Sequence, residues 1–269
     1  MIKRIFGHAL LAFFAACVLV PLFWTLLNAF KVNADLLTPT PQLFFKPTLD
    51  NIAYVLQRDS VFGALYNSLI ICISSVGLGL ILGLPAAYAV ARYPNRITKE
   101  VQFFVLSIRF LPPVAVAIPF MVIWLNFGIY DTRIGMIIAY SLITISITIW
   151  LAIPSFQRVP KEIEEAARVD GYGPYAVFAK VAVPVAMKSL VGALAFSFVL
   201  VWNEFLLALM LTTSDAKTLP IVASEMSQLG LSVPWGILNA SVVLLSLPPL
   251  LLLGFLSGFL NRAFAQKSR

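Results

Sequence analysis

Six long apolar stretches dominate the chain, at about 9–30, 66–91, 101–126, 134–156, 189–212 and 236–261. A helix needs about 20 apolar residues to cross roughly 30 Å of hydrocarbon, and all six reach that length. They use most of the 269 residues and leave no segment able to bury a separate soluble core. The fold expected is therefore all-α: one polytopic membrane domain over 1–269, a bundle of six transmembrane helices. Charge agrees, because only 12% of residues are Asp, Glu, Lys or Arg, about half of what a water-facing surface carries.

In such a chain the net charge of +7 has to be read loop by loop, since the placement of Lys and Arg sets orientation. Lys3, Arg4, Arg92, Arg96, Lys99, Arg158, Lys161, Arg168, Lys180, Lys188, Arg262, Lys267 and Arg269, 13 in all, fall on one side. Lys31, Lys46, Arg58, Arg133 and Lys217, 5 in all, fall on the other. The split predicts cytoplasmic termini, with loops 31–65 and 213–235 outside. Phe14-Ala15-Ala16-Cys17 superficially resembles a cleavable lipoprotein signal, but apolar sequence continues to Phe30, which predicts an uncleaved anchor. Cys17 and Cys72 lie inside apolar stretches with no paired spacing, so disulfide and zinc patterns fall away.

Small residues four apart, Gly79 with Gly83 and Gly254 with Gly258, let helix backbones approach closely. Ordinary packing within the bundle is expected of them rather than a dimer seam. Pro85, Pro112-Pro113, Pro119 and Pro248-Pro249 imply kinks or broken turns, which lipid tolerates only where neighbours or a water-lined path satisfy the freed carbonyls.

Two ionisable residues, Arg109 and Glu204, fall within the third and fifth stretches. A charge at a helix centre costs at least about 2.5 kcal/mol, so each needs a cavity or a partner. Two readings stand. Arg109 and Glu204 line a translocation path with Trp202 and Asn203, an aromatic and an amide suited to a hydroxyl-rich solute, or they hold helices together. His8, the one histidine, has no second ligand or nucleophile near it in sequence, and an interfacial place at the inner end of the first span explains it. No catalytic or metal-binding constellation is expected, and the chain is not expected to be an enzyme. It carries no Gly-x-x-x-x-Gly-Lys-Ser/Thr loop, so any ATP would bind another polypeptide.

The segment 157–188 departs from this apolar background. Pro160 suits a first helical position, Glu162, Glu164 and Glu165 suit the positive end of the helix dipole, and Gly171 suits a left-handed turn at its end. A helix of about three turns is predicted, then a tight bend. A second amphipathic piece is expected from Pro174, with Tyr175, Phe178 and Val181 on one apolar face. By residue type alone this is an amphipathic helix pair at the inner membrane surface.

Glu165-Ala166-Ala167, Asp170-Gly171 and Val183-Pro184 resemble the EAA loop of the permease subunits of bacterial binding-protein-dependent ABC importers. Asn67-Ser68, Ala86-Ala87-Tyr88-Ala89 with Arg92, Trp202-Asn203-Glu204-Phe205 and Thr218-Leu219-Pro220 are similar to the carbohydrate branch, close to the smaller permease of maltose-type systems. The resemblance runs from the first span to the start of the sixth. It implies a coupling helix that docks in a groove of an ATPase, with Glu164, Glu165, Ala166, Ala167, Asp170 and Gly171 as coupling residues. Ala166 and Ala167 would be the small residues that enter the groove. It implies as partners a second permease subunit, two ATPase subunits or a pair of copies holding ATP and Mg, and an extracytoplasmic solute-binding protein. No cofactor is expected in this chain, and no nucleic acid. Glu225, Gln228 and Leu229, in the outer loop, would meet the binding protein.

Two features depart from the family. Lys188 stands where many relatives have a second proline, and Ala265-Gln266-Lys267-Ser268-Arg269 replaces their glycine-rich tail. The solute implied is a sugar, oligosaccharide, polyol or similar molecule. A self-contained secondary transporter would show two similar halves and several coupling carboxylates, and Glu204 is the sole acid in the spans. A membrane scaffold that recruits proteins through 157–188 would not need kinked helices.

Overall fold

The computed structural model describes residues 2–108, 112–226 and 233–265, and no strand occurs among them. The helices are α1 (Ile2–Ala29), α2 (Asn33–Leu36), α3 (Asp50–Leu56), α4 (Asp59–Arg92), α5 (Arg96–Ile108), α6 (Pro113–Phe127) and α7 (Arg133–Gln157). After them come α8 (Lys161–Val169), α9 (Pro174–Val177), a π turn (Phe178–Ala182), α10 (Val183–Trp202), α11 (Leu206–Leu211), α12 (Leu219–Met226) and α13 (Trp235–Ala265). Five helical segments are long and apolar enough to span a membrane: Phe6–Ala29, Asp59–Arg92, Arg133–Gln157, Pro174–Trp202 and Trp235–Gly258.

The third expected span is not one helix. Over 101–126 the chain forms α5 and the apolar α6, parted at Pro112-Pro113. Pro113 has no N–H to give to a preceding turn, and a residue before proline is pushed out of the helical region. Pro112 accordingly stands at φ −59°, ψ 129°. With 15 residues α6 rises only about 22 Å, short of the hydrocarbon thickness.

The fifth expected span begins earlier than 189. Helix runs without interruption from Pro174 to Trp202, through Pro184, because the turn before that proline widens. The N–H of Val183 bonds to the carbonyl of Phe178, five residues back. A π turn of this kind makes room for a proline ring that would otherwise press on the carbonyl four residues behind it.

The chain divides into two compact units, and α4 and α13 each contribute to both. The unit of 1–64 and 219–247 is held at the end of α1 by Asn51, whose Nδ2 donates to the carbonyls of Ala29 (3.1 Å) and Lys31 (2.7 Å). The first is one of the carbonyls that a helix end leaves without partners, and the second follows just past it. Lys31 is buried, gives a hydrogen bond to Asn28 Oδ1 at 3.0 Å and lies over the rings of Trp24 and Phe45. Val55, Val61, Leu219, Val222 and Met226 form the apolar interior of this unit.

The unit of 65–218 and 248–269 is built on α4, α7 and α10. Gly79 and Gly83 are the contact points of α4 with α7: a Cβ at Gly79 would stand 2.6 Å from Thr144 Oγ1, and one at Gly83 would stand 2.9 Å from Thr148 Cβ. The close approach lets Thr144 donate to the carbonyl of Ser75 at 2.6 Å. Where these helices end at Arg92, Gln157 and the start of α10, Ala87, Tyr88, Ile153, Phe156, Val159, Ala182 and Ala186 close into one apolar cluster. The loop 157–188 stands on this cluster.

Candidate functional site

α8 is amphipathic. Glu164 and Ala167, one turn apart, face inward and are buried, and α8 packs on α9 and the π turn. Glu162, Glu165, Ala166 and Asp170 lie on the exposed side. Two large apolar side chains, Val169 and Tyr175, are 88% and 89% exposed beside them. Gly171 adopts φ +90°, the left-handed turn expected of it, and its N–H bonds to the carbonyl of Arg168. Tyr172 N–H reaches back to the carbonyl of Ala167 at 3.0 Å. The helix restarts at Pro174, as expected.

The expected apolar face of the second piece is shifted. Tyr175 points away, while Val177 is fully buried and Phe178 packs on Tyr88, ring centroids 5.1 Å apart. The π turn breaks the regular spacing from which Tyr175, Phe178 and Val181 were grouped. Of the six expected coupling residues, Glu165, Ala166, Asp170 and Gly171 lie together on the surface. Glu164 and Ala167 do not: they are 2% and 7% exposed, so they face this chain's own interior.

The inward position of Glu164 has a specific partner set. Its Oε1 accepts from Arg92 Nε (2.8 Å) and Nη2 (2.6 Å), and its Oε2 from the Tyr88 hydroxyl (2.7 Å). Arg92 Nη2 also donates to the carbonyl of Val159 at 2.8 Å. A charged pair with its lone pairs this fully used is compatible with burial. Sequence reasoning grouped Glu164 with its neighbour Glu165, although the two point about 100° apart on a helix.

The fifth helix stops inside its apolar stretch. α10 ends at Trp202, the chain turns through Asn203, Glu204 and Phe205, and α11 follows. Glu204 closes the break: its Oε1 accepts the N–H of Leu207 (3.0 Å), its Oε2 the N–H of Ala208 (3.3 Å) and the hydroxyl of Tyr140 (2.8 Å). These N–H groups would otherwise lack partners at the start of a helix. Trp202 is 2% exposed and stacks on Phe198, so it presents no ring to the surface of this chain. Asn203 is exposed, with Nδ2 donating to the carbonyl of Val199. Arg109 lies outside the described residues, as do Gln228 and Leu229. Glu225 is exposed on the last turn of α12.

One polar centre had no place in the sequence reading. Asp131, at φ 54° between α6 and α7, accepts hydrogen bonds from the N–H groups of Thr213, Ser214, Asp215 and Ala216 and from the hydroxyls of Thr213 and Ser214. Asn67 holds the same turn, donating to the carbonyls of Asp215 and Lys217 while accepting from Arg133. Burial pushes the Asp131 pKa up, but the donors from Asp215, Thr213 and Ala216 outweigh it and hold the carboxyl well below the usual carboxylate range. A lone Asp beside Thr132, which caps α7 by accepting from Gly135 N–H, gives no local signal of partners more than 80 residues away.

Comparison with known proteins agrees with this architecture. Residues 75–269 match the family described as binding-protein-dependent transport system inner membrane component. A probable ABC transporter permease protein, y4oR, of Sinorhizobium fredii is 31% identical over 86% of this chain and 82% of its own length. The diacetylchitobiose uptake system permease NgcG of Streptomyces coelicolor is 29% identical over 91% and 82%. The trehalose transport system permease SugB of Mycobacterium tuberculosis is 32% identical over 75% and 74%. Among solved structures, a bacterial ABC transporter involved in import of the acidic polysaccharide alginate superposes with a TM-score of 0.78 at 20% identity, covering 96% of both chains. With the matched region reaching from the middle of α4 to the end of the chain, the protein belongs to the binding-protein-dependent inner membrane components, the permeases of ABC importers.

Proposed function

We propose that this permease pairs with a second permease subunit to form the path for a sugar, oligosaccharide, polyol or similar solute, and that its α8–α9 loop receives the work of a separate ATPase that holds ATP and Mg. The observation that carries the coupling role is the exposed face of that loop. Val169 and Tyr175 stand almost fully in solvent next to Glu165 and Ala166, while the opposite face is buried. A small helix pair that exposes two large apolar side chains beside a carboxylate has the makings of a docking surface. Both termini and this loop are cytoplasmic in this reading, on the 13 to 5 split of Lys and Arg. The outer turn held by Asp131 leads to the segment with Glu225, Gln228 and Leu229, which reaches the binding protein. Asn203 and Glu204 at the break in the fifth span, with Arg109, supply the polar part of the path, while Trp202 stacks on Phe198. A carbohydrate-like solute is supported by the relatives named for diacetylchitobiose and trehalose uptake.

The test is co-expression with the ATPase of the same importer. Val169→Asp with Tyr175→Asp should leave the permease in the membrane and remove the ATPase on purification. Undiminished co-purification would refute docking through this face. Identifying the molecule retained by the purified binding protein settles the solute, and a bound amino acid or metal there would refute the carbohydrate reading.

A further inference from the structure

Glu164 and Glu165 are adjacent acids that point in different directions, and the inward one is bonded to a different part of the protein. We propose that Glu164 is the strut of the coupling device: through Arg92 and Tyr88 it ties α8 to the end of α4, so that a displacement of α8 is delivered to the second membrane span. The proposal rests on the reading that α8 docks on an ATPase and adds how the motion leaves the loop.

Three observations support it. Tyr88 and Arg92 stand one turn apart on α4, and both bond Glu164, so the carboxylate spans a full turn of the long helix. Arg92 reaches further and donates to the carbonyl of Val159, in the short link between α7 and α8. One guanidinium thus fixes both the start of α8 and the chain that enters it. The Tyr88 ring meets Phe156 of α7 at 5.4 Å and Phe178 of the π turn at 5.1 Å. The end of α4 is therefore the common meeting point of α7, α8 and the helix that leads into α10.

Apolar packing resists compression but has no direction, so it lets one helix slide over another. Hydrogen bonds with defined angles fix register. A buried, charge-assisted pair holds register most firmly, because breaking it leaves a charge without a partner in a medium of low dielectric. The side chains of Arg92 and Glu164 are 5% and 2% exposed. The neighbouring pair Arg96–Glu100, at 93% and 67%, has no such stiffness. Without the strut α8 would still rest on its apolar cluster and keep its outer face, but could move without moving α4.

The test uses the complete importer, with both permeases, the ATPase and the binding protein, in proteoliposomes. Three quantities are read for equal amounts of purified complex: ATPase retained, hydrolysis rate, and solute taken up per ATP hydrolysed. Glu164→Gln should retain the ATPase and hydrolyse ATP, while uptake per ATP falls by about tenfold or more, within the usual range of coupling between two sites. Tyr88→Phe leaves the ion pair intact and should lower uptake per ATP by a smaller factor, with Arg92→Lys between the two. A purely structural role would lower the yield of complex and leave uptake per ATP at the wild-type value. That result in Tyr88→Phe and Arg92→Lys overturns the proposal even if Glu164→Gln fails to fold. Loss of the ATPase from a folded Glu164→Gln complex also overturns it, since Glu164 would then act in docking. If wild type and the Val169→Asp, Tyr175→Asp variant hold the ATPase equally well, the docking reading itself has failed.

Discussion

The contact of α4 with α7 gives the sharpest test of the packing, through Gly79→Ala. The added Cβ would stand 2.6 Å from Thr144 Oγ1, 2.7 Å from Thr144 Cβ and 2.9 Å from the backbone carbon of Thr144. Carbon atoms settle at about 3.5 Å, so relief requires a shift of about 0.6 Å against that backbone atom. A rotamer change cannot provide it, and the helices must separate. Forcing a methyl into a packed contact costs about 1–3 kcal/mol. Separation also stretches the Thr144 to Ser75 hydrogen bond of 2.6 Å, worth about 0.6 kcal/mol between membrane helices. Ala regains up to about 1 kcal/mol over Gly in helix propensity. The net expectation is a loss of about 0.6–2.6 kcal/mol. Gly83→Ala should cost less, because its nearest contacts at 2.9 and 3.0 Å are side-chain atoms of Thr148. Gly254→Ala is the internal control, with nothing within 4 Å of its Cβ among the described residues. Unfolding of the purified subunit by SDS titration, followed by circular dichroism, ranks the three. A Gly79→Ala variant as stable as Gly254→Ala would refute the close approach.

Gly171→Val should leave membrane insertion intact but misdirect the end of α8. Among the described residues nothing lies within 4 Å of the added Cβ, so its cost of about 1–2 kcal/mol comes from holding a side chain at φ +90°, and ATPase co-purification reads it. Tyr140→Phe removes one bond to Glu204 and should destabilise the subunit by about 0.6–1.7 kcal/mol in the same SDS titration. Asp131→Asn turns one acceptor oxygen into a donor facing N–H groups, and should loosen the 213–216 turn by about 1–3 kcal/mol, seen as faster amide exchange there. Because the folded pKa of Asp131 is depressed, its stabilisation is present above the unfolded value of about 3.9 and is lost as pH falls through the folded pKa. Exchange in that turn should therefore stay constant from pH 8 to 5 once corrected for intrinsic rates, and a rise already at pH 6 would contradict the assignment.

What could be read in the sequence were the properties carried by neighbours in the chain. Apolar length gave five of the six expected spans, Gly171 gave the left-handed turn, Pro174 gave the restart of the helix, and Gly79 with Gly83 gave the close packing. The same local rule, applied to Pro112-Pro113, allowed a kink or a break and could not choose between them. The long helix from Pro174 was hidden because Pro184 suggests a stop, and only the widened turn before it lets the helix continue. The inward face of Glu164 and the donor set of Asp131 were out of reach for another reason. Their partners lie 72 and more than 80 residues away, and neither residue type nor spacing encodes which of several acids meets them. Glu204 shows the same limit: an acid in a span announced a partner, and the partners proved to be Tyr140 and the first N–H groups of α11.

The π turn at Phe178–Ala182 can also be seen as one residue more than an α-helix would need between α9 and α10. A single-codon deletion inside it would close the wide turn to an ordinary α-helical one and leave α8 and α9 close to their present direction, because the wide turn already absorbs the extra residue. The cost would fall on Pro184, whose ring would then press on the carbonyl four residues behind it. The same deletion further along, in the regular helix of α10, has no wide turn to absorb it and would rotate α8 and α9 by about 100° about the helix axis. Glu164 would then leave Arg92, and Val169 and Tyr175 would face another direction. Chain length is therefore forgiving at this one point of the fifth span and strict on its far side.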